Sequence, residues 1–143
     1  MPASIDQADR DVLAPTAIDP TTRRLITTFG VVRIVVGVLP LVAAGPGSRL
    51  LGFPAGHDTP TTRIFARLFG IRDVVLGVQV LAARDDLDRL RSLSTLNAAV
   101  DASDTLAMAA PIVRRQGIDR GAVSSIAAAM TGMQAWLLIQ RRL

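Results

Sequence analysis

Four apolar stretches of roughly twenty residues each divide this chain of 143, and short polar clusters separate them. The pattern predicts a first helix from about Thr21 to Ala44, with Asp19 or Thr21 as cap and Pro20 in its first turn. Gly45-Pro46-Gly47 is its expected stop. A second helix is expected from Pro60-Thr61 to about Ala83, before the charged turn Arg84-Asp85-Asp86-Leu87-Asp88-Arg89. A third covers about Ser92 to Val113 and closes on Arg114-Arg115-Gln116-Gly117, where cations and a glycine suit a helix C-terminus. A fourth runs from about Ile118 to Gln140. No stretch alternates apolar and polar residues as a strand does, so the expected class is all-α. Residues 1–19 read as a polar tail with room for one short helical turn, and residues 20–143 as a four-helix domain.

The first two helices repeat one another. Pro20-Thr21-Thr22-Arg23 recurs as Pro60-Thr61-Thr62-Arg63, Phe29-Gly30 as Phe69-Gly70, and Val35-x-Gly37-Val38 as Val75-x-Gly77-Val78. Leu41 and Ala43 recur as Leu81 and Ala83, all at an offset of 40 residues without a gap. In that frame Arg33 falls opposite Asp73, in the middle of two apolar segments. Two copies of a helix with complementary charges at equal depth imply an interior ion pair.

Composition narrows the choices. Half of the residues are hydrophobic, yet only Phe29, Phe53, Phe65, Phe69 and Trp136 are aromatic, which suits close helix packing. The absence of cysteine removes disulfides and thiolate chemistry. All 16 basic residues are Arg and all 12 acidic ones Asp. The net charge of +4 does not indicate nucleic-acid binding, because the arginines are spread along the chain with no aromatic residues interleaved for base stacking. Asp6, Asp9 and Asp11 outweigh Arg10 in the tail, unlike the start of a signal peptide.

Each segment is long enough to cross a hydrocarbon core of roughly 30 Å. Only the fourth offers a span without charge, Gly121 to Gln140. The others carry Arg33; Arg67, Arg72 and Asp73; and Asn97, Asp101 and Asp104. Six uncompensated central charges would cost on the order of 15–20 kcal/mol on an insertion scale. Three arginines against three aspartates supply the compensation, provided that they pair and turn inward. A soluble four-helix bundle is the rival reading, but it needs a broad polar face on every helix. The fourth has only Ser124, Ser125, Thr131 and Gln134 scattered along its span. The expectation is therefore a four-helix transmembrane bundle in the cytoplasmic membrane, with the lipid bilayer as its surroundings. Arg10, Arg23, Arg24, Arg84, Arg89, Arg91, Arg141 and Arg142 share one side, and Arg49, Arg63, Arg114, Arg115 and Arg120 the other. The richer side, with both termini, is expected in the cytoplasm.

The candidate site is polar and intramembrane. Gly30, Arg33 and Gly37 share one helix face, and Gly70, Asp73 and Gly77 repeat the spacing. Small residues beside a charge let helices approach closely. Asn97, Asp101 and Asp104 share a face of the third helix, and Arg72, turned away from the Asp73 face, is expected to meet them. Arg67 would join that cluster or reach toward headgroups. These seven residues form either a structural core that fixes helix register, a lined site for a proton, ion or small polar ligand, or an oligomer contact. His57 lies in a Gly/Pro-rich loop and reads as solvated. No second oxygen cluster supports a metal site, and no phosphate loop, nucleophile elbow or paired-histidine motif marks a cofactor or a catalytic residue.

Phe69-Gly70-Ile71-Arg72-Asp73-x-x-Leu76-Gly77, followed by an Asp-bearing helix, resembles a group of small bacterial and fungal four-helix membrane proteins of unknown function. More loosely, the architecture is similar to the DoxX-like membrane proteins. The resemblance covers mainly the second and third helices and brings no catalytic residues. It implies four spans and pairing of Arg72 and Asp73 with the third helix. The function expected is that of a non-enzymatic accessory subunit or homo-oligomeric scaffold, with a homo-oligomer or a membrane-protein partner. A transporter-like protein using Asp101 and Asp104 is the alternative.

Overall fold

The computed structural model describes residues 18–143, and the expected N-terminal helical turn lies outside them. Four long helices follow in order: α1 (Pro20–Leu50), α2 (Pro60–Ala82), α3 (Leu87–Val113) and α4 (Asp119–Gln140), with a 3-10 turn at Ala55–His57. Among the described residues there is no strand.

The ends of the helices follow from local chemistry. Asp19 caps α1, accepting from the Thr21 and Thr22 amides and from the Thr22 hydroxyl, with Pro20 in the first turn. The Thr22 side-chain bond, seconded by the Thr22 amide, holds the Asp19 carboxyl below the usual carboxylate range. Thr59 caps α2 through the Thr62 amide. Asp86 caps α3 by accepting from the Arg89 amide, so α3 begins at Leu87, inside the turn expected to precede it. Gly117, at φ +74, makes the left-handed turn between α3 and α4.

Gly45-Pro46-Gly47 does not end the first helix. The break falls earlier, at Ala43 (φ −146, ψ 58), and helical backbone resumes to Leu50. Proline inside a helix clashes with the carbonyl four residues back and lacks a donor. A break at Ala43 moves Pro46 into the first turn of a new segment, where its missing N–H has no helical partner to lose.

The helices form two antiparallel hairpins: α1 packs chiefly on α2, and α3 on α4, with fewer close backbone approaches between the hairpins. At the end where α1 starts, Ile26, Val80, Ala83, Leu90, Leu93, Ala98, Trp136 and Ile139 form a buried cluster. Ile18, Leu25 and Phe29 pack against it, and the Phe29 and Trp136 rings meet edge to face with centroids 6.1 Å apart. At the opposite end Phe53 lies against Gly121. There Asp58 binds Arg63 twice, at 2.7 and 3.0 Å, and Gly45 leaves room for its carboxylate. The Arg63 hydrogen bonds hold the Asp58 carboxyl below the usual range.

Between these two ends several charged and polar side chains are buried and many apolar ones are exposed. Arg33, Asp73, Asn97 and Asp101 are buried, while Val31, Val35, Val42, Phe65, Ile71 and Val78 are exposed. By length and composition α1 and α4 can cross a membrane, and only 22% and 17% of their most apolar stretches are buried in the bundle. A core helix of a soluble protein would be mostly buried.

Candidate functional site

The site grows out of the α1–α2 crossing. A Cβ on Gly37 would stand 2.5 Å from the Gly70 carbonyl oxygen, and one on Gly77 would stand 2.7 Å from that of Gly30. The two backbones therefore touch above and below the level of Arg33 and Asp73, and only glycine permits it. Each charge sits midway between its two glycines, held at equal depth.

Arg33 Nη2 reaches Asp73 Oδ1 at 3.2 Å. Its stronger bond is to α3: Nη1 and Nη2 donate to Asp101 Oδ2 and Oδ1 at 3.2 and 2.9 Å. Asp101 in turn presses on α4, where a Cβ on Gly132 would lie 2.5 Å from Asp101 Oδ2. Thus α1, α3 and α4 meet at the Asp101 carboxylate, and α2 joins them through the Asp73–Arg33 contact. A second fork lies beside the first: Arg72 donates to Asp104 Oδ1 and Oδ2 at 2.9 and 2.6 Å, and contacts Asp73 at 3.5 Å. The Arg72 guanidinium also lies over the Phe69 ring, 4.4 Å from its centroid.

These forks bridge the hairpins where backbone contact is sparse, because an arginine reaches across a gap that glycine seams cannot close. The expected Arg33–Asp73 contact is present, and Arg72 meets the third-helix face as expected, but through Asp104. Asp101 belongs to Arg33 instead. Arg67 does not join the cluster: it is exposed and makes no ion pair among the described residues. Six residues before Asp73, at ~100° per residue, it lies roughly 120° off that face. The network therefore holds two arginines and three aspartates, not three of each.

Asn97 is fully buried one turn before Asp101, and its Nδ2 donates to the Leu93 carbonyl at 2.8 Å. Asn97 Oδ1, Arg33 Nε and Arg72 Nε are buried without a hydrogen-bond partner. No protein family, curated protein or solved structure matches this chain.

Gly132 and Phe69 in the network, and the Asp58–Arg63 pair at the end of the bundle, are not among the residues that the sequence suggests. Gly132 is one of several small or polar residues along α4, and nothing in its spacing singles it out. Phe69 stands three residues before Arg72 and so shares its face. Asp58 and Arg63 are separated by a helix cap, and helical spacing does not pair them. His57 is exposed in the 3-10 turn, as expected. Among the described residues no cluster of side chains could hold a metal ion. A shallow surface depression is lined by Pro20, Arg23, Arg24, Thr27 and Thr28, at the start of α1 and apart from the network.

Proposed function

We propose that this chain is a four-span protein of the cytoplasmic membrane, a non-enzymatic scaffold or accessory subunit whose Arg/Asp network locks two helical hairpins in register. One observation carries the reading: at the level of Arg33, Asp73 and Asp101 the interior is charged and the exterior is apolar. A bilayer stabilises that arrangement and water does not. The charges on α2 and α3, costly for either helix alone, enter the bilayer already paired.

Hydroxyls on α3 and α4, two exposed and two half-buried, support the same surroundings. Ser103, Thr105, Ser124 and Thr131 each donate to the carbonyl four residues back, at 2.8–3.1 Å, and so need no water. The contacts of Gly30 with Gly77 and Gly37 with Gly70 favour reading α1 and α2 as two copies of one helix about a local two-fold axis, each residue meeting its counterpart's repeat. The arginine-rich side, with both termini, faces the cytoplasm in this arrangement. The resemblance to small four-helix membrane proteins, and loosely to DoxX-like ones, agrees with it.

A second reading, a protein that handles a proton, ion or small polar ligand, draws support from the three unpartnered polar atoms in the network. The scaffold reading is tested by fractionation. The protein is expected in the membrane pellet after an alkaline wash, released only by detergent; a soluble, monodisperse species from lysis without detergent would reject it.

A further inference from the structure

The buried part of the network holds unequal numbers of opposite charges. The side chains of Arg33, Asp73 and Asp101 are 8%, 7% and 9% exposed, so one guanidinium faces two carboxyls. The Arg72–Asp104 pair, at 35% and 20%, is balanced in itself and touches the triad only through the 3.5 Å contact to Asp73. The triad takes Arg33 from α1, Asp73 from α2 and Asp101 from α3, with Arg72 of α2 and Asp104 of α3 beside it. From α4 it receives Gly132 and no charge. Two arginines against three ionised carboxylates would leave a net charge of −1 in the core of the bundle. An uncompensated ion in so apolar a place is neutralised rather than kept.

The hydrogen bonds select which carboxyl is neutral. Asp101 and Asp104 each receive a two-pronged bond from an arginine, the geometry that best stabilises a carboxylate. Asp73 receives only longer contacts, at 3.2 and 3.5 Å, both on Oδ1. One turn along α3 from Asp101, a buried acceptor is unfilled as well. Asn97, wholly buried on the α3 face that carries Asp101, has an Oδ1 acceptor with no donor.

We propose that the Arg33–Asp73–Asp101 triad is a proton-binding site, with the proton on the Asp73 carboxyl in the folded protein at neutral pH. This rests on the membrane reading above. A proton rather than a metal cation is the ligand, because a cation needs several oxygens turned toward it. Here every carboxyl oxygen of the network but Asp73 Oδ2 already faces a guanidinium group, whereas a proton needs one oxygen.

The test is infrared spectroscopy of the full chain reconstituted in phosphatidylcholine vesicles at neutral pH, with thermal melting of wild type, Asp73→Asn and Asp101→Asn. Wild type is expected to show a protonated-carboxyl C=O band that shifts in D2O. Asp73→Asn is expected to lose that band and melt close to wild type, since its amide replaces a neutral acid. Asp101→Asn, which deprives Arg33 of its forked carboxylate, is expected to melt lower. A wild type without the band, or a band that persists in Asp73→Asn, overturns the proposal. If Asp101→Asn is the benign variant and Asp73→Asn the destabilised one, the proton is not on Asp73. Failure to enter vesicles contradicts the membrane reading and this inference with it. Entry without the band contradicts the inference alone.

Discussion

Arg33 is the residue on which the interior depends, and its partners differ in rank. The forked bond to Asp101 is shorter and doubled, while the contact to Asp73 is single. Asp101→Ala should therefore destabilise the protein by roughly 3–5 kcal/mol, the cost typical of a broken buried pair. Asp73→Ala should cost less, because Arg33 keeps its fork. Thermal unfolding of the two variants in detergent gives the order, and equal losses would show that both carboxylates hold Arg33 alike. The sequence repeat made the Arg33–Asp73 contact legible because it compares two helices in one frame. It says nothing about α3, whose depth depends on where that helix begins. The Asp86 cap sets that start at Leu87, and thereby the level of Asp101 against Arg33. Arg67 was misplaced by counting charges without their angles around the helix.

At the level of helices, the glycine seams decide how α1 and α2 pack. A methyl group at Gly37 would meet the Gly70 carbonyl oxygen at 2.5 Å and the Val74 nitrogen at 2.8 Å, both of them backbone atoms. Neither can rotate aside, so the helices must separate. Overpacking of this kind costs about 1–3 kcal/mol, against a gain of up to ~1 kcal/mol from replacing glycine in a helix. Gly37→Ala should therefore lower the melting temperature. Gly56→Ala, with nothing within 4 Å of the new methyl, should leave it unchanged. A melting temperature of Gly37→Ala at or above wild type would show that the backbones do not meet as described. The number and order of the helices were legible from apolar run length, and most ends from Asp, Thr, Pro and Gly at their caps. The break at Ala43 was not. Gly-Pro-Gly reads as a stop, yet three residues of lead let proline start a turn instead of ending one.

On the scale of the whole molecule, the exterior is the least conventional feature. Apolar side chains cover α1 and α2 at the level where the interior is charged, and Val35 is 62% exposed there. Composition pointed to this outcome, since the fourth helix has no polar face to offer water. Which charges turn inward was legible only where spacing put them on one face, as for Asn97, Asp101 and Asp104. The chain has no cysteine, so one introduced thiol reports one position without background. The deciding measurement is labelling of folded Val35→Cys and Gly56→Cys by a membrane-impermeant maleimide, in broken native membranes open on both sides. Lipid around the bundle predicts that Gly56→Cys, in the exposed 3-10 turn, reacts readily. Val35→Cys should stay unlabelled until the protein is unfolded in denaturant. Val35→Cys reacting as fast as Gly56→Cys in the folded protein would place water around this face of the bundle, and would contradict the proposed membrane location.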